Sequence, residues 1–160
     1  MVVKAGAKLQ TAASVISFIS QMEEAAAAFY EQLAAKFTEL SDLFSSCAKE
    51  SRKSDKTIRR AYYNVVSDAL ETGFCFNLTV SSDLIAPEAP PYASLKGALL
   101  ACIALEEETI SFYALAAKQS RSLLSDVPAV MERVAKTRSE KKIGLKKALD
   151  ETVKAKKGSV

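Results

Sequence analysis

Apolar residues recur every three or four positions along four long stretches of the chain, which is the spacing of a helix with one buried face. This pattern predicts helices over residues 8–38, 41–71, 94–119 and 126–154. Gly73 supplies a stop after the second helix. Ser125 and Asp126 precede Pro128, so the fourth helix has a capped start with proline in its first turn. The sequence therefore predicts an all-α fold.

Residues 72–93 differ from these stretches and predict a long connection. Seven residues of mixed aromatic and β-branched character, 74–80, are followed by prolines at positions 87, 90 and 91. Such a segment is expected to be partly extended and not helical. We therefore expect a single domain over residues 1–160, with two helical hairpins joined by a crossover at 72–93.

Each predicted apolar stripe carries polar residues at its middle. On the first and third helices these are Glu23, Tyr30, Glu106 and Tyr113; on the second and fourth they are Ser51, Ser54, Arg138 and Lys141. Because the stripe of a packed helix faces its neighbours, all eight side chains are expected to point inward. They form the candidate functional site.

The first and third helices also resemble each other in sequence. The segment from Met22 to Tyr30 matches the segment from Leu105 to Tyr113, with both Glu-Glu pairs and both Phe-Tyr pairs in register. A repeated helical hairpin predicts a domain with approximate two-fold symmetry.

With these residues the chain resembles the rubrerythrin-related branch of the ferritin-like superfamily. In that family the first and third helices carry a glutamate seven residues before a tyrosine, as Glu23 precedes Tyr30 and Glu106 precedes Tyr113. The resemblance spans all four predicted helices. It implies a ferritin-like four-helix bundle made of two hairpins, with a di-iron centre between them.

The other half of the family's site, a Glu-x-x-His motif on the second and fourth helices, is missing. Ser51 and Ser54 occupy its place on the second helix, and Arg138 and Lys141 occupy it on the fourth. The chain contains no histidine at all, so the commonest metal ligand is absent from the whole sequence. The resemblance therefore implies a vestigial di-iron site, and we expect no bound metal and no cofactor.

Charge balance predicts what replaces the metals. Two glutamates, Glu23 and Glu106, would face two cations, Arg138 and Lys141, so buried charge cancels without iron. We expect these four side chains to pair inside the protein. Tyr30 and Tyr113 are expected to pack there and to donate hydrogen bonds to the buried carboxylates.

Three functions are compatible with this pattern. The favoured one is a non-catalytic binding or structural module, and thus not an enzyme. One alternative is a metal-dependent oxidoreductase or metal-handling protein with atypical ligands, in which Glu23 and Glu106 share a metal. The other is a small-ligand binder that uses the vestigial cavity, because Ser51 and Ser54 are smaller than Glu and His.

Composition limits the partners. The net charge of +3 is too small to indicate nucleic-acid binding, and no apolar segment is long enough to cross a membrane. Three cysteines without a CxxC spacing indicate reduced thiols and a cytoplasmic protein. A homodimer is expected, with Phe18, Tyr63 and Leu124 as candidate contacts.

Overall fold

The computed structural model describes residues 7–65, 74–85, 94–120 and 126–158. Within these ranges the chain is mostly helical, which confirms the all-α prediction in its coarse form. The elements in chain order are β1 (Ala7–Thr11), α1 (Ala12–Lys36), α2 (Ser41–Val65), β2 (Phe74–Val80), α3 (Leu95–Ser120) and α4 (Val127–Gly158). Single turns of 3-10 helix at Thr38–Leu40 and Ser82–Leu84 follow α1 and β2.

Helix α1 begins at Ala12, four residues later than the predicted start at Lys8. The Thr11 hydroxyl accepts from the Ser14 amide at 3.0 Å, and the Ser14 hydroxyl accepts from the Thr11 amide at 3.1 Å. This reciprocal capping box satisfies two main-chain donors that would otherwise lack a partner, so it fixes the helix start. The residues before Thr11 are therefore free to form a strand.

The other helix bounds lie close to those predicted. Helix α3 covers Leu95–Ser120 against a predicted 94–119, and α4 extends to Gly158 where the pattern predicted an end at 154. Helix α2 starts at Ser41 as predicted, but the predicted end at Glu71 and the stop at Gly73 lie outside the described residues.

The predicted crossover contains an unforeseen strand pairing. Strand β2 pairs antiparallel with β1, with Ala7 opposite Val80 and Leu9 opposite Leu78, and the register shifts between Leu9 and Thr11. Leu9 and Leu78 are opposite each other and are both buried. Val80, two residues after Leu78, is buried as well, because alternate side chains of a strand point to the same face. The sheet thus adds a small apolar layer to the helical core.

The helices pack as two pairs, α1 with α2 and α3 with α4, and α2 also contacts α4. Phe18 of α1 lies against Phe112 of α3, with ring centroids 5.3 Å apart, so the two pairs share one core. Phe18 is therefore buried and is not the surface contact that the sequence suggested. No helix in the described part of the chain is both long and apolar enough to cross a membrane.

Candidate functional site

Glu23 and Glu106 lie at the centre of the helical core. Neither side chain has any solvent-accessible surface. Their neighbours one helical turn away, Ile19 and Ala26 on α1 and Cys102 on α3, are buried as well. Buried carboxylates lose most of their hydration, so they require nearby donors or a cation.

Arg138 of α4 lies between the two carboxylates. Its Nη1 donates to Oε1 of Glu106 at 2.7 Å, and its Nη2 donates to Oε2 of Glu23. Nη2 also donates to the Ser51 hydroxyl of α2 at 3.0 Å. One guanidinium therefore bonds to side chains from all three other helices, which its fork of five N–H donors allows and a lysine would not.

The two tyrosines complete the arrangement in a crosswise manner. The Tyr30 hydroxyl of α1 donates to Oε1 of Glu106 on α3 at 2.6 Å. The Tyr113 hydroxyl of α3 donates to Oε1 of Glu23 on α1, also at 2.6 Å. Each tyrosine thus binds the glutamate of the opposite repeat, and not the one seven residues before it.

Six buried side chains therefore form one hydrogen-bonded group, here called the inner cluster. Its members are Glu23, Tyr30, Ser51, Glu106, Tyr113 and Arg138. The cluster contains two carboxyl groups, which can each carry a negative charge, and one positively charged guanidinium. With both carboxylates ionised, the cluster would hold one uncompensated negative charge in the core.

Burial raises the pKa of Glu23 above its ordinary value of 4.5, and Glu106 adds to this effect, whereas Arg138 and Tyr113 oppose it. Burial lowers the pKa of Arg138, but the two carboxylates outweigh burial and leave that pKa above its ordinary value. Arg138 therefore stays charged, and ionisation of Glu23 is less favourable inside the cluster than it is in water.

The hydroxyl and thiol groups nearby are held in their neutral forms. Burial raises the pKa of Tyr30 and of Tyr113 well above 10, and the adjacent glutamates raise both further. Burial also raises the pKa of the Cys47 thiol to about 12 and raises that of Cys102. These groups act as hydrogen-bond donors or packing groups, because their anions are strongly disfavoured.

Two polar atoms of the inner cluster lack a hydrogen-bond partner among the described residues. They are the Oε2 atom of Glu106 and the Nε atom of Arg138. An unpaired buried acceptor or donor costs free energy. Among the described residues, the hydrogen-bonding capacity of the cluster is therefore not fully used.

Ser54 and Lys141 do not join the inner cluster, although both were expected in it. The Ser54 hydroxyl is buried but donates to the Glu50 carbonyl of its own helix at 2.9 Å. Lys141 is half-buried, and its Nζ donates to the Ser46 hydroxyl at 2.5 Å. An ammonium group is more strongly hydrated than a guanidinium, so Lys141 lies where it keeps contact with solvent.

The donor set does not fit a di-iron centre. Such a site uses four carboxylates and two imidazoles in the ferritin-like proteins, whereas the inner cluster offers two carboxylates and a cation between them. In the described part of the chain, no group of three or more His, Cys, Asp or Glu side chains could hold a metal ion. We therefore derive no metal chemistry for this cluster.

A groove opens between α2 and α4 above Ser54. Its volume is about 260 Å³. Besides Ser54, its polar lining consists of Glu50, Lys53, Thr57, Arg133 and Thr137. Ser54 is thus next to open space, but the described lining of this groove includes neither Ser51 nor any other residue of the inner cluster, so the groove is not the predicted cavity at the vestigial site.

Two polar contacts could not be found from the sequence pattern. Ser46, the partner of Lys141, lies on the half-buried flank of α2, where a serine has no distinguishing signal. Gln119 of α3 bonds to both main-chain groups of Asn77 in β2. That contact joins residues 42 positions apart and depends on the placement of β2.

Comparison of the chain with protein-family models, with curated proteins and with solved structures finds no match in any of the three.

Proposed function

We propose that this chain is a ferritin-like, rubrerythrin-related four-helix bundle that has lost its di-iron centre and acts as a non-catalytic binding or structural module. One observation carries the proposal: the guanidinium of Arg138 lies between Glu23 and Glu106 and bonds to both. A cation at this place supplies the positive charge that iron supplies in the family.

The crosswise tyrosines support the same proposal. Tyr30 and Tyr113 lie at matching positions of the internal repeat, and each donates to the glutamate of the other repeat. A symmetric pair of carboxylates, each with a tyrosine donor, is what a duplicated hairpin would retain after its metals were lost.

The cluster can be retained for stability alone, without any catalytic role. Removal of one partner from a buried ion pair leaves the other uncompensated, so the cluster is retained once it has formed. It also offers no open position for substrate, because the guanidinium occupies the space between the carboxylates. The proposed role is therefore structural at the centre and binding at the surface, in a cytoplasmic setting where the thiols stay reduced.

Metal analysis tests the proposal directly. Protein purified without added metal should contain no stoichiometric iron, zinc or manganese, because the donor set lacks both imidazoles and two carboxylates. About one tightly bound metal per chain, lost in the Glu23→Ala, Glu106→Ala double variant, would contradict it.

Rebuilding the missing motif gives a sharper test. The variant Ser51→Glu, Ser54→His, Arg138→Glu, Lys141→His restores Glu-x-x-His on α2 and α4. It should bind cobalt(II) with a visible absorption band, while the parent chain should not. The same variant with Glu23→Gln and Glu106→Gln is the matched control and should bind less metal. Failure of a folded rebuilt variant to bind any metal would contradict a ferritin-like origin of the cluster.

A second candidate function is the binding of a small anion in the groove above Ser54. Among its described lining residues, Lys53 and Arg133 are basic and Glu50 alone is acidic, so these residues carry a net positive charge. Amide chemical shifts of the groove residues during a titration with inorganic phosphate test it. Shifts that saturate, and that disappear in Arg133→Glu but not in Lys146→Glu, would support this function; uniformly unchanged shifts would exclude it.

A further inference from the structure

Strand β2 has two edges, and only one of them is paired with β1. Leu78 and Val80 lie opposite Leu9 and Ala7 in that pairing. The Asn77 amide points the other way, because it donates to the side chain of Gln119 on α3. Since main-chain groups alternate in direction along a strand, the N–H and C=O of Thr79 also point away from β1.

The Gln119 side chain already acts as a substitute strand on this outer edge. Its Oε1 accepts from the Asn77 amide at 2.8 Å, and its Nε2 donates to the Asn77 carbonyl at 3.2 Å. These are the two bonds that a neighbouring strand would make. In the described part of the chain no side chain does the same for Thr79.

An apolar groove of about 410 Å³ lies beside this edge, between β2 and α3. We call it the edge groove; it runs along residues 78–81, at the end of β2, and along residues 107–115 of α3. Leu78, Val80, Leu84, Phe112 and Leu115 form its apolar lining. Leu115 is 45% exposed, whereas the other four are buried, so Leu115 is the side chain of this apolar lining that is open to solvent.

The charged residues that the structure describes in the lining of the edge groove are both acidic. They are Glu107 and Glu108, and no lysine or arginine is among the described lining residues. Lys142 reaches Glu107 from α4 at 3.6 Å, and both of these side chains are partly exposed. Because an exposed ion pair of this kind is weak, a basic ligand can compete with Lys142 for Glu107. The edge groove therefore favours a cationic ligand.

We propose that the edge groove binds an extended, basic peptide segment of a partner protein, which adds to β2 as a third strand. The segment pairs its main chain with Thr79 and spans about four residues, or roughly 13 Å. One apolar side chain packs against Leu115 and Phe112, while a flanking lysine or arginine approaches Glu107 and Glu108. This is peptide recognition by strand addition, and it goes beyond the proposed function.

A second copy of the chain fits the edge groove less well. Pairing of two β2 edges about a two-fold axis would bring the carboxylates of both copies to the same interface. Glu107 and Glu108 lie on α3 beside the paired edges, so the carboxylates of the two copies would repel each other across such an interface. Charge complementarity thus selects a basic peptide over self-association.

Binding of a designed peptide tests the proposal. The probe is a fluorescent octapeptide of alternating lysine and valine with blocked ends, measured by anisotropy against the full-length protein. We expect saturable binding, together with slower hydrogen exchange at the Thr79 amide. Two control peptides separate the contributions: one has glutamate in place of lysine, and one is N-methylated at alternate main-chain amides and cannot pair with a strand. Both should bind at least several-fold more weakly.

A matched pair of variants locates the site. Glu107→Lys with Glu108→Lys should weaken the lysine-valine peptide by roughly fivefold or more. Asp150→Lys with Glu151→Lys reverses an equally exposed acidic pair on α4 and should leave affinity unchanged. The proposal is overturned if no binding occurs at millimolar peptide, if the N-methylated peptide binds equally, or if both variants weaken binding alike. Protection of Thr79 in a dimer without peptide would assign the edge to a second copy and would also overturn it.

Discussion

Arg138 is the residue on which the inner cluster depends. It is buried in the core, and its two terminal nitrogens are shared among Glu23, Glu106 and Ser51. The guanidinium stays protonated in the core. A substitution that removes Arg138 therefore leaves Glu23 and Glu106 without their cation. Its contribution is therefore best measured by replacing both sides of the pair together.

Arg138→Ala should lower the free energy of unfolding by roughly 3–5 kcal/mol, because it strands buried carboxylates. Arg138→Met combined with Glu23→Gln and Glu106→Gln should recover much of this loss. Denaturant titrations measure both. Lys141→Ala is the matched control and should cost only about 1 kcal/mol, since Lys141 is half-buried and bonds to one hydroxyl. Equal effects of Arg138→Ala and Lys141→Ala would refute the central role of Arg138.

The raised pKa of Glu23 predicts a pH dependence of stability. Because the folded-state pKa lies above the ordinary value of 4.5, the folded protein binds this proton more tightly than the unfolded chain does. That stabilisation is complete below about pH 4.5 and is lost as the pH rises through the folded-state pKa. The unfolding free energy of the parent should therefore fall relative to that of Glu23→Gln as the pH rises. A pH-independent difference between the two proteins would contradict this.

The crosswise tyrosine bonds predict a specific pattern of coupling. A double-mutant cycle of Tyr30→Phe with Glu106→Gln should give an interaction energy of about 1–2 kcal/mol, since a buried bond to a carboxylate is lost. Tyr30→Phe with Glu23→Gln, the pair seven residues apart, should couple more weakly. Tyr113 should show the reverse preference. Stronger coupling within each repeat than between repeats would refute the crosswise arrangement.

The sequence located the inner residues of the site but not all of their partners. Helical periodicity placed Glu23, Glu106 and Arg138 on inward faces, and each is buried in the structure. Periodicity alone did not separate Arg138 from Lys141, three residues further on. The difference depends on hydration and on which side chain reaches the carboxylates, and neither is encoded in spacing.

At the scale of elements, helices were predictable and the small sheet was not. Repeating apolar positions over many turns gave the helix bounds to within a few residues. Strand β1 carries only one buried apolar side chain among its described positions, Leu9, and its partner lies about 70 residues away, as Leu78 does. Pairing at such separation leaves no local signal, so the apolar pattern predicts a helix from Lys8 where the structure has β1.

Thr11 marks the boundary between β1 and α1, and its capping box should be measurable. Thr11→Ala removes the acceptor of the Ser14 amide and should cost roughly 0.5–2 kcal/mol of stability. Thr57→Ala is the matched control, because the Thr57 hydroxyl bonds only within α2 at an exposed position. Thermal and denaturant unfolding of both variants give the comparison. A loss for Thr57→Ala as large as that for Thr11→Ala would contradict the capping role.

At the scale of the whole molecule, large apolar side chains remain exposed. Tyr63 on α2 and Ile143 on α4 are 64% and 66% exposed. Tyr63 was a candidate dimer contact from the sequence, whereas Leu124 lies outside the described residues. Single exposed apolar side chains are common on protein surfaces, so these two residues are candidates for a contact between copies that experiment must test.

A homodimer is the expected state of the protein in solution. Sedimentation equilibrium at micromolar concentration should give twice the chain mass of 17.3 kDa. If helix faces associate, Tyr63→Lys or Ile143→Lys should shift the equilibrium toward monomer, whereas Lys154→Glu on the exposed end of α4 should not. A monomer mass for the parent chain at these concentrations would contradict the prediction.

The distribution of the inner cluster over four helices has a consequence for the order of folding. The first hairpin supplies Glu23 and Ser51 but no cation of the cluster, whereas Glu106 and Arg138 both belong to the second. Glu23 therefore reaches its cation only when the hairpins dock, and our hypothesis is that docking follows the main folding barrier. Glu23→Gln should mainly change the unfolding rate and give a φ-value near 0. Substitutions that remove the pair within the second hairpin, Glu106→Gln or Arg138→Met, should give higher φ-values. Folding and unfolding rates of these variants, measured as a function of denaturant, would show whether the hairpins form before they dock.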